Sequence, residues 1–341
     1  MFTNVYRLTR VKQIERVTKT ITLQENRKVL VRPLYLSVCR ADERYYSGTR
    51  DSKILARKLP MALIHEAVGI VEYSNESTYE VGSLVAMIPN HSFEHDTLVT
   101  DNYLATSKFS SSSEDGFLQE LISIDYERLV KIPNEVPASL SALIEVASIA
   151  VQGLKQLQRV MIPRIRRLGI WGDGNVAYIT AVIASNLYPE CEIYVFGKHP
   201  EKLSYFSFAH TVDINEIAKG MWVDQVVEAV GGNGSESAVE QAINVINPGG
   251  TIVLSGVSEY PIEINTRKIL EKGLTLIGTS RSIKSNFEQA IEIMKADPIA
   301  RKRMQLLIQS IRDIHSEKDI IDSFEFDLSL TWGKTIMHWN L

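Results

Sequence analysis

The chain has 341 residues, 45% of them hydrophobic and 23% charged, with a formal net charge of −4. That length allows two domains, each with its own core, and the mild acidity gives no reason to expect nucleic acid or an anionic membrane as a partner. Two widely separated cysteines, Cys39 and Cys191, argue against a disulfide framework and suit a reducing cytoplasm. Met1 to Arg10 is too polar for a signal peptide, and no apolar stretch is long enough to span a bilayer.

Residues 1–140 read as β-rich. Val29 to Val38 alternates in part, with Pro33 predicting an edge or irregular strand. Ala67 to Tyr73 and Leu84 to Ile88 are further candidate strands, joined by a turn carrying Gly82. From Pro89 to Gly116 the chain is polar, a loop long enough to be functional or mobile. Phe117 to Ile122 and Leu129 to Ile132 resume strand character, and Ser139 opens a helix over Leu140 to Leu157.

A βαβ unit follows. The apolar run Leu168 to Trp171 precedes Gly172, Gly174 and Ala177 in a G-x-G-x-x-A pattern. Apolar residues then recur at helical spacing from Val176 to Leu187, and Glu192 to Phe196 forms the next strand. Gly172 permits the tight turn, Gly174 lets the backbone approach a pyrophosphate, and Ala177 allows close helix–strand packing. Together with Asn175 and Val176 at the helix start, they predict a dinucleotide site.

Further on, Val223 to Val230, Thr251 to Ser255 and Leu274 to Gly278 are strands, and Ser235 to Ile246 is an amphipathic helix stopped by Pro248. Such alternation predicts a doubly wound parallel sheet. Ser285 to Glu288 reads as a capping box for a helix burying Phe287, Ala290, Ile291 and Met294. In the mixed tail, Gly333 precedes a last apolar segment, Thr335 to Trp339.

Three separated motifs, C-R-A-D at Cys39, H-E-A-V-G at His65 and L-I-E-V-A-S around Glu145, make the chain resemble the medium-chain dehydrogenase/reductase family over its whole length. The resemblance implies a GroES-like catalytic domain over 1–148 and 282–341, beside a Rossmann NADP-binding domain over 149–281. It implies a homo-oligomer, dimer or tetramer. It also implies a catalytic zinc held by Cys39, His65 and Glu145, with Glu66 a fourth, exchangeable ligand or a base standing behind the ligands. These are donor types that zinc accepts, and three protein ligands leave a position open for substrate. Taken singly, each motif reads equally as a core cysteine or a surface pair. Asp42 is the expected partner fixing the His65 tautomer. Arg40 stands where relatives place a pyrophosphate-binding arginine.

Two departures from the family pattern stand out. Relatives often carry a structural zinc in a four-cysteine lobe, yet Pro89 to Gly116 contains no cysteine, so one catalytic zinc per chain is expected. His91 and His95 lie four apart, a spacing that could suit a metal on a helix, but they read as exposed loop histidines. Ala41 replaces the proton-relaying Ser or Thr of alcohol dehydrogenases, which leaves Glu66, or water held by it, to serve.

Cofactor choice is read at the end of the second Rossmann strand. Gly197 stands where NAD-specific domains have an acidic residue, and Lys198 and Lys202 add positive charge. NADP(H) is expected, although a solvated basic turn accounts for the same residues. Within the family, C-R-A-D-E-R-Y-Y-S-G, A-L-I-E-V-A-S and L-I-G-T-S-R-S-I-K-S are similar to ribulose-5-phosphate reductases. That similarity implies NADPH-dependent reduction of a sugar phosphate for teichoic-acid or capsule polymers. Arg44, Tyr45 and Lys284 are candidate substrate contacts, with an Arg44 pairing to Glu43 or Asp51 as the alternative. The rival readings are a polyol dehydrogenase of the same family and a non-catalytic nucleotide sensor.

Overall fold

The structure is a computed structural model describing residues 1–21, 27–160 and 165–341. It divides into two compact units, Met1–Ser148 with Ser282–Leu341, and Ile149–Arg281.

In the first unit one sheet runs, in spatial order, Leu129–Lys131, Leu84–Met87, Glu66–Tyr73, Lys28–Ser37, Lys334–Trp339 and Ile308–Ile314. A smaller sheet contains Gln13–Thr20, Phe2–Arg10 and Met61–Ala62. Lys28–Ser37 is central rather than an edge. Its first half pairs with Ile122–Asp125 and its last residues with Lys334–Trp339. Pro33 falls in the gap between those two partners and beside a register shift facing Gly69, so its missing N–H interrupts no ladder. Val31, Leu36, Val71, Met87, Phe324 and Trp339 are among the buried residues of this unit's core.

Several local expectations give way to tertiary contacts. Phe117 to Leu121 is not a continuous strand. The backbone N–H groups of Gly116, Phe117 and Leu118 instead donate to Ala62, Ile64 and Leu63, and the ladder begins at Ile122. The expected helix over 140–157 is split into Ala138–Ser141 and Ile144–Val160. No capping box forms at Ser285, because the helix Lys284–Ala296 begins one residue earlier, behind Ile283, with no side-chain cap. The polar segment 89–116 is folded into a small lobe in which Asn90–His91 pairs with Lys108–Phe109.

The second unit is a six-stranded parallel sheet, ordered His210–Asp213, Glu192–Gly197, Arg167–Trp171, Val223–Glu228, Ile246–Leu254 and Thr275–Gly278. The order reverses beside Arg167–Trp171, and the glycine turn follows that strand, which is where doubly wound sheets bind ligands. The helix after the turn, Asn175–Leu187, buries Ala177 to Ala184 without a break. No helix among the described residues is long and apolar enough to cross a membrane.

Candidate active site

Cys39 lies two residues beyond the central strand and caps the short helix Arg40–Tyr46 with its backbone extended. His65 directly precedes the neighbouring strand, which opens at Glu66, paired in register with Ser37. Glu145 lies in the first turn of Ile144–Val160. Among the described residues, two triplets hold donor atoms within 4.8 Å of one another, Cys39 with Asp42 and His65, and His65 with Glu66 and Glu145. Residues far apart in sequence thus meet around His65. The paired strands set its position and that of Glu66, while Cys39 and Glu145 come from helix starts.

Asp42 fixes this geometry. Its Oδ2 lies 3.1 Å from His65 Nδ1, while Oδ1 accepts the Ile64 N–H at 3.0 Å and the Ser111 hydroxyl. Burial alone would raise the Asp42 carboxyl. The His65 charge and the hydrogen bonds from His65, Ser111 and Ile64 outweigh it and hold the carboxyl below its ordinary value. The bond to Ile64 has a second consequence. Ile64 has φ +70°, a left-handed conformation that a β-branched residue adopts only under constraint. Asp42 holds its N–H, and Phe117 donates to its carbonyl at 2.7 Å. The strained residue therefore sets the direction in which His65 leaves the chain.

The cluster fits a divalent cation. Glu66 Oε2 is buried without a hydrogen-bond partner among the described residues. Burial, reinforced by Glu66, pushes the Glu145 carboxyl up to about 8, despite His65 and Lys334. Burial likewise raises the Cys39 thiol, with Glu66 adding to it and His65 and Lys334 opposing. Burial would lower His65, but the charges of Asp42 and Cys39 outweigh it and raise the imidazole well above its ordinary value. A half-buried thiol with a buried imidazole and two buried carboxylates forms a borderline-soft donor set that zinc would neutralise. With Asp42 at Nδ1, the nitrogen left for a metal would be Nε2.

The sequence did not point to Lys334. It opens the last strand after Gly333 and donates to Glu66 Oε1 at 3.0 Å, with the two side chains only 5% and 1% exposed. A lysine at the head of an otherwise apolar strand was its only local signal. Ser111 was also missed, for it sits in a serine run with no distinguishing pattern.

The remaining candidates in this unit are placed more variously. Arg40 is largely exposed, donating to Glu43 at 2.7 Å and to the Leu330 carbonyl at 3.3 Å. Tyr45 is packed in the core with the Arg50 guanidinium 5.0 Å over its ring. Arg44 is partly buried on the same helix. Lys284 donates to the Tyr79 hydroxyl at 3.3 Å, and the cation coupled to Cys39 and Glu145 is Lys334. In the lobe, His95 is exposed and 2.9 Å from Asp101, whereas His91 is mostly buried, 3.5 Å from Glu114. Neither joins a donor cluster among the described residues.

In the second unit, Gly172 has φ +127°, and a Cβ there would meet the Ala229 carbonyl oxygen at 3.1 Å. Ala177 is buried against the same point. Gly174 caps the helix starting at Asn175 and Val176 without a side-chain hydrogen bond, and a Cβ on it would enter open space. Helix N–H groups with open space before them fit a phosphate. Gly197 is buried at the end of its strand, with Lys198 exposed and Lys202 partly buried beyond it.

Residues 25–134 match the model of the alcohol dehydrogenase GroES-like domain, and residues 191–296 match that of zinc-binding dehydrogenase. The chain is 42% identical to ribulose-5-phosphate reductase 2 of Staphylococcus aureus and 40% identical to ribulose-5-phosphate reductase of Bacillus spizizenii, covering 100% of each chain in both cases. The crystal structure of S. aureus TarJ in complex with NADPH is similar with a TM-score of 0.89 at 38% identity, again over 100% of both chains.

Proposed function

Because the chain belongs to the zinc-binding medium-chain dehydrogenase/reductase family, we propose that it reduces D-ribulose 5-phosphate to D-ribitol 5-phosphate with NADPH. The observation that carries this reading is the cluster of half-buried Cys39 with buried His65, Glu66 and Glu145, in a chain that matches ribulose-5-phosphate reductases from end to end. Cys39, His65 and Glu145 would hold one zinc, with Glu66 in or beside the shell. When bound, zinc would polarise the C2 ketone as a Lewis acid and NADPH would supply the hydride.

The chain's own residues do the rest. Asp42 keeps the His65 proton on Nδ1, so that Nε2 is available to the metal. Lys334 balances the charge of Glu66 through Oε1. That leaves Oε2, which has no hydrogen-bond partner among the described residues, to take a proton from water and pass it to the product oxygen, or to hold the water that supplies it. Ala41 has no hydroxyl with which to do so. On the cofactor side, Gly172 to Ala177 receive the pyrophosphate, and the turn after Gly197 takes the adenosine end. Arg44 is the proposed cation for the sugar phosphate. The product would serve teichoic-acid or capsule polymers, and the enzyme would work in the cytoplasm as a dimer or tetramer.

The test is NADPH oxidation with ribulose 5-phosphate, ribulose, xylulose 5-phosphate and fructose 6-phosphate at fixed ionic strength. A charge-assisted phosphate contact predicts at least about a tenfold lower kcat/KM for unphosphorylated ribulose. Comparable rates with free ribulose would remove the phosphate anchor. A clear preference for another sugar phosphate would discard the named substrate.

A further inference from the structure

The glycine turn carries an acidic residue that the nucleotide fingerprint does not require. Asp173 sits between Gly172 and Gly174. A carboxylate there would repel a phosphorylated ribose if its charge were left uncompensated. Instead, its Oδ2 accepts three hydrogen bonds from the turn after the second strand, from Lys198 N at 2.7 Å, His199 N at 2.9 Å and His199 Nδ1 at 2.9 Å. These bonds outweigh burial and hold the Asp173 carboxyl below its ordinary value. Asp173 is mostly buried, whereas the His199 side chain is 45% exposed. Its other ring nitrogen, Nε2, has no hydrogen-bond partner among the described residues.

Packing explains why the turn is built this way. A Cβ on Gly197 would lie 2.6 Å from Leu203 Cδ2 and 2.8 Å from Asp173 Cβ. The place where a ribose-binding carboxylate would start is therefore filled by Asp173 and Leu203. No side chain fits at 197 without moving them, so Gly197 is an indirect probe of cofactor choice. The charge that the turn presents comes from the residues after it.

We propose that Asp173 and His199 form a positioning pair for the cofactor's 2′-phosphate, with Asp173 fixing the imidazole through Nδ1 and His199 contacting the phosphate through Nε2. Placed between a carboxylate and a phosphate, the ring bonds Asp173 at one nitrogen and offers the other to the phosphate. His199 is thereby a specificity residue for NADPH over NADH, and Asp173 acts through it. Lys198 and Lys202 add charge to the same turn, and Glu201 subtracts from it. The inference rests on the NADPH reading given above.

The test compares binding rather than turnover. Fluorescence titration gives Kd for NADPH and NADH in the wild type, His199→Ala, His199→Lys and Asp173→Asn, and competition with 2′,5′-ADP and 5′-AMP isolates the 2′-phosphate. His199→Ala should raise the NADPH Kd at least about tenfold while NADH changes less than about twofold. The advantage of 2′,5′-ADP over 5′-AMP should shrink by the same factor. His199→Lys should restore most of the NADPH preference, because it returns a donor to the phosphate without the Asp173 bond, and Asp173→Asn should lie between wild type and His199→Ala. An unchanged NADPH-to-NADH ratio in His199→Ala overturns the inference and leaves the NADPH reading standing. So does a His199→Lys variant as poor as His199→Ala, since the ring would then only cap the turn. A wild type with no preference for NADPH removes the reading itself, and the inference with it.

Discussion

At the scale of single residues, the site separates groups that hold a metal from groups that hold those groups. Cys39→Ser exchanges a soft thiolate for a weak oxygen donor. The variant should lose most bound zinc and nearly all turnover while titrating with NADPH like the wild type. Full activity in Cys39→Ser would remove this cysteine from the shell. Lys334 tests the other class. Removing it leaves Glu66 as an unpaired buried charge, so Lys334→Met should cost about 3–5 kcal/mol in denaturant unfolding. Combining it with Glu66→Gln removes both charges and should recover most of that loss, though not activity. If the double variant is no more stable than Lys334→Met, the pair is not the source of the loss. The clustering of the candidate metal donors was legible in the sequence because each lies in a short motif with its own order along the chain. Lys334 was not, because it lies 268 residues from Glu66 and only sheet pairing brings them together.

Between elements, the helix Arg40–Tyr46 that follows Cys39 is fastened to Glu317–Ser329 from the tail. Tyr46 stacks on Phe324 with ring centroids 4.6 Å apart and donates to Glu325 at 2.8 Å. Beside them Glu43 is buried, and burial, followed by a hydrogen bond with Asp327, pushes its carboxyl up to about 7 against the opposing charge of Arg40. The folded protein therefore holds a proton here that the unfolded chain, titrating near 4.5, releases. This stabilisation is complete below the unfolded value and is lost as pH rises through about 7. Thermal midpoints should fall more steeply between about pH 5 and about pH 8 in the wild type than in Glu43→Gln, whose amide does not titrate. Parallel curves would mean that Glu43 does not carry this proton. Elements of this kind were only partly legible. The parallel sheet was read from its alternation with helices, but its edge strand His210–Asp213 was not, because H-T-V-D is no apolar run. Phe2–Arg10 and Gln13–Thr20 gave no period, because Val5 and Tyr6 are buried side by side in one and only Ile14 in the other. Pro33 suggested an edge because the gap between its two partner strands is a tertiary fact.

For the whole molecule, the cysteine-free lobe leads to the expectation of one zinc per chain, and it requires a different way of holding residues 89–116. Arg128 lies outside that lobe and reaches both of its ends. It donates to the carbonyls of Ile88 at 2.9 Å and Pro89 at 3.2 Å and to the Ser110 hydroxyl at 3.0 Å, with Glu114 at 3.5 Å. Its side chain is 16% exposed, and burial lowers it despite Glu114 and Asp125. A guanidinium with several donors in a fixed fork can cross-link carbonyls and a carboxylate much as a metal does, without needing thiolates. Arg128→Met abolishes these bonds together and leaves their acceptors buried, a loss of about 3 kcal/mol once partial solvation of the lobe is allowed for. Limited proteolysis should then cut within 89–116 faster than in the wild type, while elemental analysis still gives about one zinc per chain, because no catalytic donor is touched. Two tightly bound zincs in the wild type, or an Arg128→Met variant with unchanged stability and protease resistance, would show that something other than this arginine holds the lobe.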